Sequence, residues 1–329
     1  MVCFHLGPLN VYAYGLALTA AAALAWLLLG RTAAAEGLPR GTAARCMLWA
    51  VPLSALGARI AYCLFNLSWF LQEGVGFFFQ WQRGGFVFYG ALLGGLLALY
   101  AVSRLNSLSF GRLADAAAAP AALVIACGRL AEGLVGVGYG RNILDWFDPY
   151  QEQSMIAWED PSPLFRFPFG APDHYGDWNF AIFVPEALAA AVILVILLRV
   201  RPVKPGGRAL LLVLLYAACQ AILESMRQDS VQRWGFVRVS QLLSGVAVAA
   251  VLFICCRRLH RGFPAAWAGI LLCMGVVMAM EFALEQKIGF LVWMRMDVCY
   301  LVMLLACLGM IFFTLPVWRR AFRPAEAAR

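Results

Sequence analysis

The residues that draw attention are polar groups embedded in apolar runs. Arg59 and Arg129 interrupt two such runs, Glu132 follows Arg129 by one turn, and Glu186 and Glu224 fall inside two later ones. A fixed charge in hydrocarbon costs about 3 kcal/mol or more unless it is paired or binds something. Guanidinium groups grip phosphate through forked hydrogen bonds, and a carboxylate or tyrosine within reach takes a proton from an attacking nucleophile. Gln220, Glu224 and Arg227 recur at i, i+4, i+7, which predicts one helical face. Arg129 lies in residues 115–141, DAAAAPAALVIACGRLAEGLVGVGYGR, whose exit carries Gly133, Gly136, Gly138 and Gly140, positions where backbone can approach a bulky ligand. Tyr14 lies near the start of the first apolar run, and Tyr89 opens the third behind Gly84 and Gly85. This points to a pocket for a lipid phosphate; the competing reading is an ion-pair network that only fixes helix packing. His5, His174 and His260 have no metal-ligand spacing, eight cysteines sit in apolar runs as small buried residues, and no metal or cofactor is expected.

These groups must be held by membrane helices. Of 329 residues, 63% are hydrophobic and 13% charged, and nine apolar segments fall near 11–29, 46–65, 86–102, 115–136, 179–200, 208–226, 240–256, 264–281 and 297–317. Most approach the ~20 apolar residues needed to cross a bilayer. Lysine and arginine set the orientation: with the N-terminus outside and the C-terminus inside, 16 fall on cytoplasmic segments and 8 on external ones. The net charge of +8 is then a topology signal, and no nucleic acid partner is expected. The predicted fold is an all-α polytopic membrane protein, N-out and C-in, with the unusual charges gathered toward the outer leaflet. Asp115 reads as a helix N-cap at the cytoplasmic edge. The opening MVCFHLGPLN lacks a basic stretch and a cleavage site, so it reads as part of the mature chain. Residues 138–178, rich in aromatics such as Trp146, Trp158 and Tyr175, form a predicted external arm at the interface. Gly90-x-x-x-Gly94 predicts close helix packing.

Five stretches resemble the prolipoprotein diacylglyceryl transferase family in order and spacing. GPLNVYAYGL, with Gly7, Pro8, Tyr14 and Gly15, is similar to the family's GPxxxxxYGL opening. GARIAYCLF, with Arg59 and Tyr62, resembles GGRxGYxLF, and GGFVFYGALLGG carries Tyr89-Gly90 where the family has His or Tyr followed by Gly. CGRLAEGLVGVGYGR resembles GRxGNFxNxExxG at Gly128, Arg129, Gly140 and Arg141, and YAACQAILESMRQ resembles YxxxRFxxExxR at Tyr216, Glu224 and Arg227. The departures fall on polar positions. Glu132 stands for Asn, Val137 for an acid, Gln220 for Arg, and of HPxQxYE only Glu186 remains.

The resemblance implies a seven-span bundle over residues 1–257, leaving 258–329 as two additional transmembrane helices with a basic cytoplasmic tail. It implies transfer of the diacylglyceryl group of phosphatidylglycerol to the lipobox cysteine of a prolipoprotein, bound through its signal peptide, with membrane lipids as surroundings. Tyr89 or Glu132 would then activate the thiol, Arg129 and Arg227 would stabilise the departing phosphate, and Glu224 would orient a cation. Tyr14, Arg59, Gln220 and Glu186 would line the substrate site, and Gly140 would give the headgroup room. The alternative is a non-catalytic or retasked relative that binds lipid or a membrane partner.

Overall fold

A computed structural model describes residues 2–6, 9–81, 84–143, 166–172, 176–200, 204–228, 233–234, 237–285 and 294–323. Gly7, Pro8, Arg83, Lys287, most of the 138–178 arm and the tail beyond 323 lie outside the described residues. A hairpin of β1 (Val2–Leu6) and β2 (Leu9–Tyr12) leads into α1 (Ala13–Ala35) and α2 (Thr42–Phe65). Two short helices, α3 (Leu67–Glu73) and α4 (Gly76–Phe79), precede α5 (Phe88–Leu105) and α6 (Phe110–Glu132). Then β3 (Tyr139–Asn142), β4 (Gly170–Pro172) and β5 (Trp178–Ala181) form an antiparallel sheet in the order β3-β5-β4. Helices α7 (Phe183–Arg199) and α8 (Gly207–Met226) follow, then the ribbon of β6 (Arg233–Trp234) and β7 (Val237–Arg238). The last three helices are α9 (Val239–Leu259), α10 (Pro264–Leu284) and α11 (Met296–Phe322).

Among the described residues eight helices are long and apolar enough to cross a membrane. The ninth expected segment is α7, a helix of 17 residues, about 26 Å at ~1.5 Å per residue and so short of a ~30 Å core. The small sheets are additions that apolar patterning does not reveal. One expectation needs correction: α6 begins at Phe110, so Asp115 lies inside the helix, 1% exposed, and is not its N-cap.

The chain divides into two compact units, residues 23–120 and residues 1–22 with 121–329. In the first, Leu29, Ala33, Cys46, Val102, Leu113 and Ala116 form a core, and the Thr32 hydroxyl donates to the Ala116 carbonyl at 2.7 Å. Here α2 and α5 meet backbone to backbone. A Cβ on Gly90 would strike the Gly57 carbonyl and one on Gly94 the Leu53 carbonyl, so GxxxG patterning works as expected. In the second unit α8 packs against α7, α9 and α11, and α10 lies along α11. The Trp318 indole donates to the Gly207 carbonyl at 2.9 Å, fastening the end of α11 to the start of α8. Nine described cysteines are free, and six of them are buried.

Candidate active site

The second unit gathers four charges at the ends of three helices. Arg129 and Glu132 close α6, Glu186 lies in the first turn of α7, and Arg227 follows α8. Arg129 Nη1 is 2.9 Å from Glu132 Oε1 and 3.5 Å from Glu186 Oε2. Arg227 Nη1 is 2.8 Å from Glu132 Oε2 and 2.8 Å from Glu186 Oε2. Two cations thus share two carboxylates, a quartet of zero net charge, the arrangement that low-dielectric surroundings require. The carboxylates are unequally accessible: the Glu132 side chain is 16% exposed and that of Glu186 is 1% exposed. Tyr14 stands within electrostatic reach of Glu132, Arg129 and Arg227.

A second layer orients the quartet. Gln220 Nε2 donates to Glu224 Oε2 at 2.8 Å, the expected i, i+4 contact, and lies 3.4 Å from Glu186 Oε1. Gln220 Oε1 is buried without a hydrogen-bond partner among the described residues. The expected i, i+7 face does not extend to Arg227. Helix α8 ends at Met226, and Arg227, with φ −77° and ψ 142°, is already extended. It reaches the quartet because its backbone bridges to Gly140, while the Gln228 amide donates to the Tyr139 carbonyl at 2.9 Å. Gly140 also lies where the chain after α8 passes closely. A Cβ there would lie 2.9 Å from the Met226 carbonyl oxygen and 2.8 Å from Ile182 Cγ1, so its bareness admits the neighbouring chain. Gly138, at φ +83°, makes the turn that carries the chain from α6 into β3.

Arg59 and Tyr89 belong to the other unit. Arg59, 1% exposed, commits all five guanidinium N–H groups to backbone carbonyls. Nε donates to Phe78 at 3.0 Å, Nη1 to Gly84 at 2.6 Å and Gly85 at 3.0 Å, and Nη2 to Gln80 at 3.4 Å and to Phe77. The rings of Tyr62, Phe77 and Phe86 surround it at 5.3, 5.4 and 5.9 Å. Its expected role toward a substrate phosphate thus meets a guanidinium whose donors are already engaged in shaping residues 77–86. Tyr89 is half-buried in the first turn of α5, its ring 5.6 Å from that of Phe88.

Three further side chains, Tyr216, Arg238 and Glu281, take part without a role expected from the sequence. The Tyr216 hydroxyl lies 3.4 Å from Arg129 Nη2; it was visible as a motif tyrosine but carried no assigned role. Arg238, counted only as an external charge, donates through Nη1 to the Glu224 and Arg227 carbonyls, each at 2.5 Å. Glu281, hidden at the end of an apolar run, lies 3.5 Å from Arg238 Nε and accepts from Ser225 Oγ at 2.5 Å. The signal was available, since a carboxylate within an apolar helix is as anomalous as an arginine.

Comparison with known proteins bears on this geometry. Over 254 residues the chain is 29% identical to a phosphatidylglycerol–prolipoprotein diacylglyceryl transferase of Lysinibacillus sphaericus, covering 76% of this chain and 89% of that protein. A protein of the same description from Limosilactobacillus reuteri is 29% identical over 273 residues, 82% of this chain and 94% of its own. One from Shouchella clausii is 27% identical over 253 residues, 76% and 87% of the two chains. The family model described as prolipoprotein diacylglyceryl transferase matches residues 1–257, a stretch that holds both arginines and both carboxylates of the quartet, and the chain belongs to that family.

Proposed function

We propose that this membrane protein moves the diacylglyceryl group of phosphatidylglycerol onto the cysteine thiol of a prolipoprotein, working at the outer leaflet in an N-out, C-in orientation. The observation that carries this reading is the sharing of Glu132 and Glu186 between Arg129, in the last turn of α6, and Arg227, just past the end of α8, in a bundle with apolar surroundings. The names of the relatives supply the substrates, and the quartet supplies a physical means of handling them.

The chemistry balances on Glu132. Its carboxylate, the more exposed of the two, takes the thiol proton, and the thiolate attacks the diacylglyceryl carbon that bears the phosphate ester. The S–C bond forms as the C–O bond breaks, and glycerol phosphate leaves with the electron pair. Protonation removes one negative charge from a neutral quartet. Arg129 and Arg227 then have guanidinium capacity for the leaving phosphate at the moment its charge grows, the condition under which fixed donors favour a transition state. Glu186, buried behind them, keeps the two cations together.

The test is complementation of a bacterial strain depleted of its own transferase, paired with transfer of lipid to a lipobox peptide by purified protein. Wild type is expected to support growth. Glu132→Gln, which keeps a hydrogen-bonding side chain but cannot take the proton, is expected to reduce transfer by about 10²-fold. Failure of well-expressed wild type in both assays would overturn the reading and leave a lipid-binding relative.

A further inference from the structure

Helices α10 and α11 lie beyond residue 257, where the family match ends. Yet α10 sends a carboxylate toward the machinery: Glu281, 2% exposed, faces Arg238 with 3.5 Å between Oε1 and Nε. Glu281 Oε2 also accepts from Ser225 Oγ at 2.5 Å and from Gln241 Nε2 at 3.1 Å, groups on α8 and α9. The Tyr300 hydroxyl of α11 donates to the Ser225 carbonyl at 3.4 Å. Arg238, itself 5% exposed, occupies the C-terminal end of α8 and donates to the carbonyls of Glu224 and Arg227. The Glu224 carbonyl, in the last turn of α8, also accepts from the Arg227 amide at 3.2 Å, and a cation beside that helix end matches the helix dipole.

We infer that Glu281 is a positioning residue contributed by the appended helices: it holds Arg238, Arg238 fixes the backbone at the end of α8, and that backbone aims Arg227 at Glu132 and Glu186. The first step is an ion pair with 3.5 Å between Glu281 Oε1 and Arg238 Nε, and the second is a pair of hydrogen bonds at 2.5 Å. Arg227 enters the quartet from an extended residue just past the helix, where backbone orientation sets the reach of the side chain. Arg238 grips the carbonyl of Arg227 itself, and the Gly140 bridge holds the same residue from the other side. Without Glu281, Arg238 keeps its two carbonyls but loses the carboxylate that balances its buried charge. The two C-terminal helices are thus part of the catalytic scaffold. The inference rests on the proposed transfer activity for its kinetic meaning and on backbone contacts for its structural meaning.

The experiment uses the full-length chain in lipid nanodiscs with two readouts, transfer kinetics and amide hydrogen exchange at Arg227 and Gln228. Glu281→Gln keeps shape and most hydrogen bonds while removing the charge. Its kcat is expected to fall by roughly 10- to 100-fold with KM for phosphatidylglycerol unchanged, the size of effect a small misplacement of a catalytic group produces. Exchange at Arg227 and Gln228 is expected to accelerate about tenfold, because the local structure they close opens more often. Val102→Ala, a packing defect in the core of the other unit, is the control; it lowers Tm without either change. Combined with Arg238→Gln, Glu281→Gln adds nothing further if it acts through Arg238. Unchanged exchange in Glu281→Gln, or losses that simply add in the double variant, overturn the inference. If wild type transfers no lipid, the activity reading fails, and the exchange contrast still decides the positioning link.

Discussion

Two arginines of this chain look alike in the sequence and live differently in the structure. Arg59 and Arg129 each interrupt an apolar helix and each is nearly buried, at 1% and 8% exposed. Arg59 is enclosed by five backbone carbonyls and three aromatic rings, partners that neither titrate nor leave. Arg129 is held by Glu132, Glu186 and the Tyr216 hydroxyl, and the Glu132 side chain is 16% exposed. A cation caged by carbonyls has its donors engaged by neutral groups that the backbone fixes in place. A cation held by carboxylates is exchangeable, because another anion can take their place. Burial and charge are shared; the chemistry of the partners divides the roles.

The strongest way to break the contrast is to remove each guanidinium. Arg129→Ala is expected to lower transfer by about 10²- to 10³-fold while the protein accumulates normally in the membrane. Arg59→Ala is expected to do the reverse, leaving buried carbonyls unsatisfied at a loss of about 3 kcal/mol or more, read as lost protein and lower Tm. If Arg59→Ala folds normally and fails only in turnover, the distinction collapses. A middle-sized effect comes from Gly140→Ala. Its Cβ would press on the Met226 carbonyl and Ile182, so destabilisation of about 1–3 kcal/mol should accompany weakened transfer, because Arg227 shares that bridge. The smallest is Tyr216→Phe, which deletes one long hydrogen bond to Arg129. A loss of about 1 kcal/mol, or fivefold in kcat/KM, is expected, and none would mean that the carboxylates alone orient the guanidinium.

Much of the fold could be read from the residues, because apolar runs of helical length leave few alternatives in a membrane. The helices of residues 42–65, 207–226 and 239–259 fall within a few positions of their expected bounds. The early start of α6 escaped because SFGRLAD is polar at its front, and α7 came out short because the polar approach DWNF folds as strand. Site membership was partly legible. Anomalous charge flagged Arg129, Glu132, Glu186 and Glu224, but charge alone could not separate a carbonyl cage from a carboxylate network. Carbonyls belong to every residue, so no side-chain pattern marks the segment that encloses Arg59. Arg238 was hidden for a related reason, since its partners are the backbone of Glu224 and Arg227.

The pairing of β3 with β5 carries a consequence for how such a protein can vary. Tyr139 faces Ala181 and Asn142 faces Asn179 across the sheet, so the chain departs after α6 and returns before α7 through a closed clasp. The pairing ties the end of α6 to the start of α7 directly, so the spacing of Glu132 and Glu186 is set by hydrogen-bonded backbone. Insertions or deletions in the sequence joining β3 to β4 should therefore leave the charged quartet in register as long as the clasp is kept.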